Sequence, residues 1–253
     1  MVDEFLQLGF DVQAVELDER MVDIARQYFH LSDKCQIVVN DARHFINHAP
    51  PQYDVVVFDA FNGENIPAHL LSKESLAQLH RILKPDGLLL LNFSGFITGE
   101  EGLAARSVLK TLVHVGFDVQ LLPTPREESM RNLLFFASKQ KQDFAAAIKP
   151  ERVNACCVKL FHTPIPLPLH PSSDINADDA FILTDDKPLI DLLHLKSGEV
   201  WRKNILKSQF GDGHQCVAQC GRKEYGSSTC GHGNGNGRRN SNRQFRFYAC
   251  GGQ

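Results

Sequence analysis

Residues 53–93 read YDVVVFDAFNGENIPAHLLSKESLAQLHRILKPDGLLLLNF, and this stretch decides the fold. Val55, Val56, Val57 and Phe58 form an apolar run too short for a membrane span and rich in β-branched residues. That is the pattern of a strand buried on both faces. The run ends on Asp59. A loop with Asn62-Gly63 and Pro67 follows, then a helical pattern, the turn Lys84-Pro85-Asp86-Gly87 and a second apolar run over 88–91. Strand, helix, strand is the grammar of a parallel α/β sheet. Open parallel sheets bind ligands beyond the carboxyl ends of their strands, which is where this reading puts Asp59.

Upstream of the stretch, residues 3–8 read as the last turns of a helix stopped by Gly9. Residues 12–17 form a strand that ends in Glu16 and Asp18, with Leu17 between them. Residues 19–29 form an amphipathic helix with Met21, Ile24, Ala25 and Tyr28 as a core stripe. A short strand over 36–39 ends at Asn40-Asp41-Ala42, and a short helix follows over 43–47. Downstream, Thr98-x-x-Glu101 has the form of a capping box opening a helix to residue 115, with Gly116 as its stop. Residues 117–122 and 132–137 predict an antiparallel hairpin, 143–148 a short helix, and 163–171 a proline-rich wrapping loop. Leu183-Thr184-Asp185-Asp186-Lys187-Pro188 precedes a short helix to His194. The expected fold is α/β: a mostly parallel sheet with an antiparallel C-terminal hairpin.

The chain has 253 residues, enough for one such domain with appendages, and 43% hydrophobic residues, ordinary for a globular protein. Its net charge of -3 gives no argument for a nucleic-acid binder. From Ser208 onward, six Lys/Arg stand against two Asp/Glu, so this end carries +4 and the remainder -7. Ten of the 18 glycines also fall there. Such a segment buries too little apolar surface to offset its ordering entropy. The expectation is a domain over 1–207 and a disordered tail over 208–253. In the tail, Cys216, Cys220, Cys230, His232 and Cys250 are irregularly spaced for zinc, with no hydrophobic framework around them. Arg243-x-Phe245-Arg246-Phe247-Tyr248 mixes charge with aromatics as single-strand binders do, but a disordered extension is the preferred reading. His44, His48, His69, His80, His114 and His194 do not fall at metal-binding spacings, so no metal is expected. No apolar run reaches about 18 residues, and the first residues lack a signal-peptide pattern. Those features predict a cytoplasmic chain with its cysteines, Cys156-Cys157 included, as free thiols.

Three successive strands end in acids: Glu16, Asp41 and Asp59. A carboxylate just after the second strand of a nucleotide-binding α/β fold commonly accepts two ribose hydroxyls, and Glu16 fits that role. Asp41 with small Ala42 fits contact with an adenine edge. Asp59 then faces the reactive end. Asp185-Asp186 read as a helix N-cap with first-turn acids before Pro188.

The ordered set VELD, NDA, YDVVVFDAFNGENIP, LKPDGLLLLNF and LTDDKPL, over residues 10–194, resembles class I S-adenosylmethionine-dependent folds. More narrowly, it resembles the spermidine synthase (polyamine aminopropyltransferase) family. The resemblance implies a Rossmann-like class I methyltransferase fold. It places Glu16 and Leu17 at the ribose of an S-adenosyl donor, Asp41 and Ala42 at its adenine, Asp59 as the catalytic acid, and Asn62 and Asp185 at the acceptor. The donor would be S-adenosylmethionine or its decarboxylated form, and the partner a small-molecule amine or other nucleophile. The family resemblance suggests homodimers; the net charge and the lack of a long apolar run lead to the expectation of no nucleic acid and no membrane for this chain.

This chain departs from the family pattern in two ways. The family's first strand and glycine-rich loop should precede residues 3–8 and are missing, as is its N-terminal β-hairpin region. The expectation is therefore an N-terminally truncated chain whose sheet lacks a central strand between those bearing Glu16 and Asp59. In addition, Asn62 stands where the polyamine enzymes carry the second acid of Asp-x-x-Asp-Pro. The leading reading is aminopropyl transfer from decarboxylated S-adenosylmethionine to a polyamine amine. A methyltransferase acting on another small molecule is the second, and a non-catalytic fragment or interaction domain is the third.

Overall fold

The computed structural model describes residues 2–61, 66–124, 130–144, 169–210 and 244–251, with side chains described up to residue 203. Eight strands form one sheet: β1 (Asp11–Glu16), β2 (Gln36–Val39), β3 (Tyr53–Phe61), β4 (Leu83–Gly95), β5 (Asp118–Pro123), β6 (Arg131–Ser138), β7 (His170–Pro171) and β8 (Gln244–Gly251). Their spatial order is β2-β1-β8-β3-β4-β6-β5-β7. The pairs β1–β2 and β3–β4 are parallel, while β8 runs antiparallel to both β1 and β3. β6 is antiparallel to β4 and β5. Strands β1 to β5 therefore point one way, and the predicted hairpin over 117–137 is present.

Each strand's burial follows its sequence. β3 buries Val56, Val57, Phe58 and Ala60, so both of its faces are covered. β1 alternates between two cores. Val15 joins the main cluster with Ala42, Ile46 and Phe58. Val12 and Ala14 join a smaller one with Val2 and Cys35. A sheet that feeds a core on each side carries helices on both faces. Helix α1 (Val2–Gln7) joins the small cluster through Val2, and α2 (Glu19–Phe29) packs against β1. Helices α3 (Ala42–His48), α4 (Ala68–Leu71), α5 (Lys73–Ile82) and α6 (Leu103–His114) supply the main core with Ile46, Leu70, Leu71, Leu76, Leu79, Ile82, Val108 and Leu112.

Local signals set most boundaries. Gly9 and Gly116 end α1 and α6 with positive φ, 88° and 99°, as their stop roles require. Ser72 caps α5 by accepting from the Ser75 N–H at 3.2 Å. The Thr98-x-x-Glu101 box does not open α6. That helix begins at Leu103 behind Gly102, with no side-chain cap. The buried Arg106 does the fastening instead. It donates to the carbonyls of Ile97 at 2.6 Å and Gly99 at 2.9 Å, and it pairs with Asp179. The α2 stripe also departs from expectation. Met21 and Ala25 are half-buried, but Ile24 is 39% and Tyr28 65% exposed.

A strap of chain crosses the helices towards the carboxyl edge of the sheet. The Phe181 N–H donates to Ser107 Oγ and the Leu183 N–H to Thr111 Oγ1, while Lys110 Nζ reaches the Ala180 carbonyl. Leu183 sinks into the main core, and its carbonyl accepts from the Lys73 N–H at 2.8 Å. Helix α7 (Leu189–Phe210) then runs well past the expected end at His194.

The expected disordered tail is not what residues 244–251 show. β8 lies between β1 and β3, the central position that the sequence reading expects to stand empty, and it runs antiparallel to both. Tail residues 211–243, with the cysteine and histidine positions considered for zinc up to His232, lie outside the described residues. So do Asn62, Cys156, Cys157 and most of the predicted 143–148 helix. Among the described residues, no helix is long and apolar enough to cross a membrane.

Two predictions follow from these contacts. Ending the chain at residue 243 should bare the β8-facing edges of β1 and β3, since unpaired central edges invite strand addition. Hydrogen–deuterium exchange should then show lost amide protection over 12–16 and 55–61, with aggregation; unchanged protection would count against the pairing. Separately, a Cβ at Gly102 would collide with the Ile97 carbonyl that Arg106 holds. Gly102→Ala should therefore cost about 1–3 kcal/mol by overpacking, read as a lowered Tm in thermal melts.

Candidate functional site

The sheet order reverses between β1 and β3. From β1 the chain moves outward to β2, and from β3 it moves the other way to β4. Crevices at such switch points, outside the carboxyl ends of strands, are where open α/β sheets bind ligands. Glu16 is the last residue of β1, and Asp59 lies two residues before the end of β3. Both stand opposite Arg246 of β8, so they are level across the sheet. Two inter-strand spacings separate their backbones by about 10 Å.

The two acids line one cavity of about 310 Å³. Its other walls are largely apolar and include Val15, Met21, Val22, Ala25 and Ile37. Glu16 Oε1 accepts from the Asp18 N–H at 3.1 Å, which fixes its carboxylate at the turn after β1. Asp59 Oδ1 accepts from Asn92 Nδ2 at 3.0 Å. Leu91 pairs with Phe58 in register, so Asn92 follows at the level of Asp59. Asn92 Oδ1 is buried with no hydrogen-bond partner, an open acceptor beside the acid. Reading by strand and motif passed over Asn92; its signal was a lone polar residue interrupting the apolar run of Leu88–Phe93.

The remaining predicted residues are placed differently. Asp18 caps α2: its carboxylate accepts from the Arg20 N–H, and the Arg20 guanidinium holds it below the usual carboxylate range. Leu17 is 40% exposed beside Glu16. Asp41 caps α3, accepting from the His44 N–H at 3.0 Å, and its other oxygen lies 3.7 Å from His69 Nε2. Ala42 is buried in the main core. Neither Asp41 nor Ala42 lines the cavity that holds Glu16 and Asp59. Both stand at the same edge of the sheet, one strand further out.

Asp185 sits in a turn closed by a bridge between Thr184 and Lys187. Arg43 meets its carboxylate with two hydrogen bonds, 3.2 and 2.8 Å long, and also donates to the His69 carbonyl and Ser72 Oγ. Burial opposes ionisation of Asp185, but the hydrogen bonds from Arg43 and Ser72 outweigh it and hold the carboxyl below its ordinary range. A second cavity, of about 490 Å³, opens beside this turn, lined by Ile66, Pro67, His69, Thr184, Asp185 and Asp191. A larger one, about 800 Å³, surrounds the Arg106–Asp179 pair and contains none of Glu16, Asp41 and Asp59. Among the described residues, no group of three or more His, Cys, Asp or Glu side chains is arranged to hold a metal ion.

Comparison with known proteins follows the same lines. The chain is 37% identical over 83 residues to the polyamine aminopropyltransferase of Vibrio vulnificus, covering 31% of this chain and 28% of that protein. It is 36% identical over 95 residues to the N-terminal histidine N-methyltransferase of Emericella nidulans, covering 36% of this chain and 17% of that one. The chain thus spans less than a third of either relative. The crystal structure of a probable spermidine synthase from Corynebacterium glutamicum superposes with a TM-score of 0.53 at 22% identity, over 68% of this chain and 63% of that one. This likeness agrees with the class I methyltransferase-like fold. The family model "Spermine/spermidine synthase domain" matches residues 5–149, more than half of the chain, and the chain belongs to that family.

Proposed function

We propose that the Glu16–Asp59 cavity binds an S-adenosyl donor and transfers an alkyl group, in the first instance aminopropyl, from its sulfonium to a small-molecule amine. The carrying observation is that these two carboxylates lie level at the switch point and line one largely apolar cavity. An apolar wall suits a flat base, and a carboxylate at its rim suits a ribose diol. Glu16 would accept the two hydroxyl hydrogen bonds, with Leu17 beside it. Asp41 and Ala42 would border the base from the neighbouring strand end.

The chemistry asks little of the protein. A sulfonium leaves as a neutral thioether, its C–S electron pair remaining on sulfur, so no general acid is needed. The acceptor nitrogen forms the new N–C bond and must give up a proton. Asp59 is the base that takes it. Asn92 holds Oδ1 of Asp59 and leaves Oδ2 to face the amine. The match to a polyamine aminopropyltransferase and the family membership support aminopropyl transfer. One observation favours a second reading, methyl transfer from S-adenosylmethionine itself: the similarity to a histidine N-methyltransferase, together with Asn62 in place of a second acid.

Titration calorimetry with S-adenosylmethionine and with its decarboxylated form tests both readings. Preference for the decarboxylated donor supports aminopropyl transfer, preference for the other supports methyl transfer, and binding of neither sinks the donor site. Glu16→Gln should weaken donor binding about tenfold or more, the value of a charge-assisted hydrogen bond. Asp59→Asn should leave donor affinity within about threefold but lower kcat by about 10²–10⁴, the usual contribution of a positioned base.

A further inference from the structure

The cavity that holds Glu16 and Asp59 carries a third carboxylate, Asp3 of α1, and no Lys, Arg or His side chain among the described residues lines it. Like charges around one crevice repel. A balancing charge comes from the strand between the two acids. Arg246 of β8 is the Cα partner of Glu16 on one side and of Asp59 on the other. Directly opposite residues of an antiparallel ladder stand on one face of the sheet. Register therefore sets an acid–base–acid row across β1, β8 and β3, on the face that opens to the cavity. The same register suits the rest of β8. Phe247 falls between Val15 and Phe58, both in the main core. Cys250 falls between Val12 of the smaller cluster and Val55, which packs against that cluster. Sliding β8 by one residue would bring Phe245 or Phe247 between the carboxylates and turn every residue to the other face. The charge row and the apolar pattern thus agree on one register.

We propose that β8 is an autoinhibitory strand: Arg246 holds the place of a donor's sulfonium charge between Glu16 and Asp59, and the two cations compete for these carboxylates. The inference rests on the donor-site reading above and adds a control to it. By linkage the competition is reciprocal, so a sulfonium ligand loosens β8 and a paired β8 weakens sulfonium binding. S-adenosylhomocysteine has the same nucleoside and amino-acid parts, but its sulfur is a neutral thioether and does not compete in this way.

The test titrates the full-length chain with S-adenosylmethionine and with S-adenosylhomocysteine, and repeats the pair in decarboxylated form. Arg246→Gln should strengthen binding of the sulfonium about tenfold relative to the thioether, the effect of removing one nearby like charge in a partly screened crevice. Arg246→Lys, which keeps the charge, should leave the wild-type ratio within about twofold. The ratio of the two affinities does not depend on how much of a variant is folded. A second measurement needs no variant: in the wild type, hydrogen–deuterium exchange over 244–251 should be faster with saturating sulfonium than with saturating thioether. An unchanged ratio in Arg246→Gln, or equal exchange with the two ligands, would overturn the proposal. Binding of neither ligand would instead overturn the donor site, so the two failures are distinguishable.

Discussion

The structure depends on the pairing of β1 and β3 through a strand that belongs to neither neighbour's βαβ unit. The two halves of the sheet, β2-β1 and β3-β4-β6-β5-β7, share no direct ladder. Buried backbone N–H and C=O groups must be paired, so the facing edges of β1 and β3 demand an occupant. Gln244–Gly251 provides it, in register with six residues of β1 and seven of β3. An antiparallel strand satisfies those edges as well as a parallel one does. It cannot, however, end in a loop at the carboxyl edge leading directly into α1.

That constraint shapes the candidate site. With β8 in the slot, Glu16 and Asp59 stay level and about two strand spacings apart, the geometry of a crevice at a switch point. The cavity between them is lined by these carboxylates and by largely apolar walls. Asp59 is set by a neighbouring strand, because the level register of β3 and β4 brings Asn92 against it. Asp41 is set by its own helix, because capping α3 commits one of its oxygens to the His44 N–H. The three strand-end acids thus share an edge but not an environment, and only two share a cavity.

Much of this was legible in the sequence where local physics decides. Doubly buried strands announce themselves as apolar runs, so β3 and the second half of β4 were readable, as were the hairpin and the glycine stops at Gly9 and Gly116. Strand-end acids follow from the same reading. What was not legible depends on distant partners. QFRFYACG carries a weak alternation at its start, but it is set in glycine-rich sequence, and no local signal says that a slot between Asp11–Glu16 and Tyr53–Phe61, far upstream, needs filling. Asn92 matters only because register puts it beside Asp59. The Thr98 box did not open the helix: the chain closes a turn there, with the Gly102 N–H on the Thr98 carbonyl, and Arg106, held by Asp179 some 70 residues on, fastens the Ile97 and Gly99 carbonyls.

The strap over 178–188 links these observations. It is fastened to α6 by Ser107, Lys110 and Thr111, to α5 through the Leu183 carbonyl, and to α3 by the fork of Arg43 on Asp185. Each fastening is modest by itself, about 0.5–1.5 kcal/mol for an ordinary hydrogen bond. Together they remove the strap's freedom to move relative to three helices. The N-termini of α3 and α5, the turn holding Asp185 and the start of α7 therefore form one rigid wall at the carboxyl edge of the sheet. A carboxylate on a loose segment would pay ordering entropy each time it met a cation; on this wall Asp185 meets Arg43 with both partners already held.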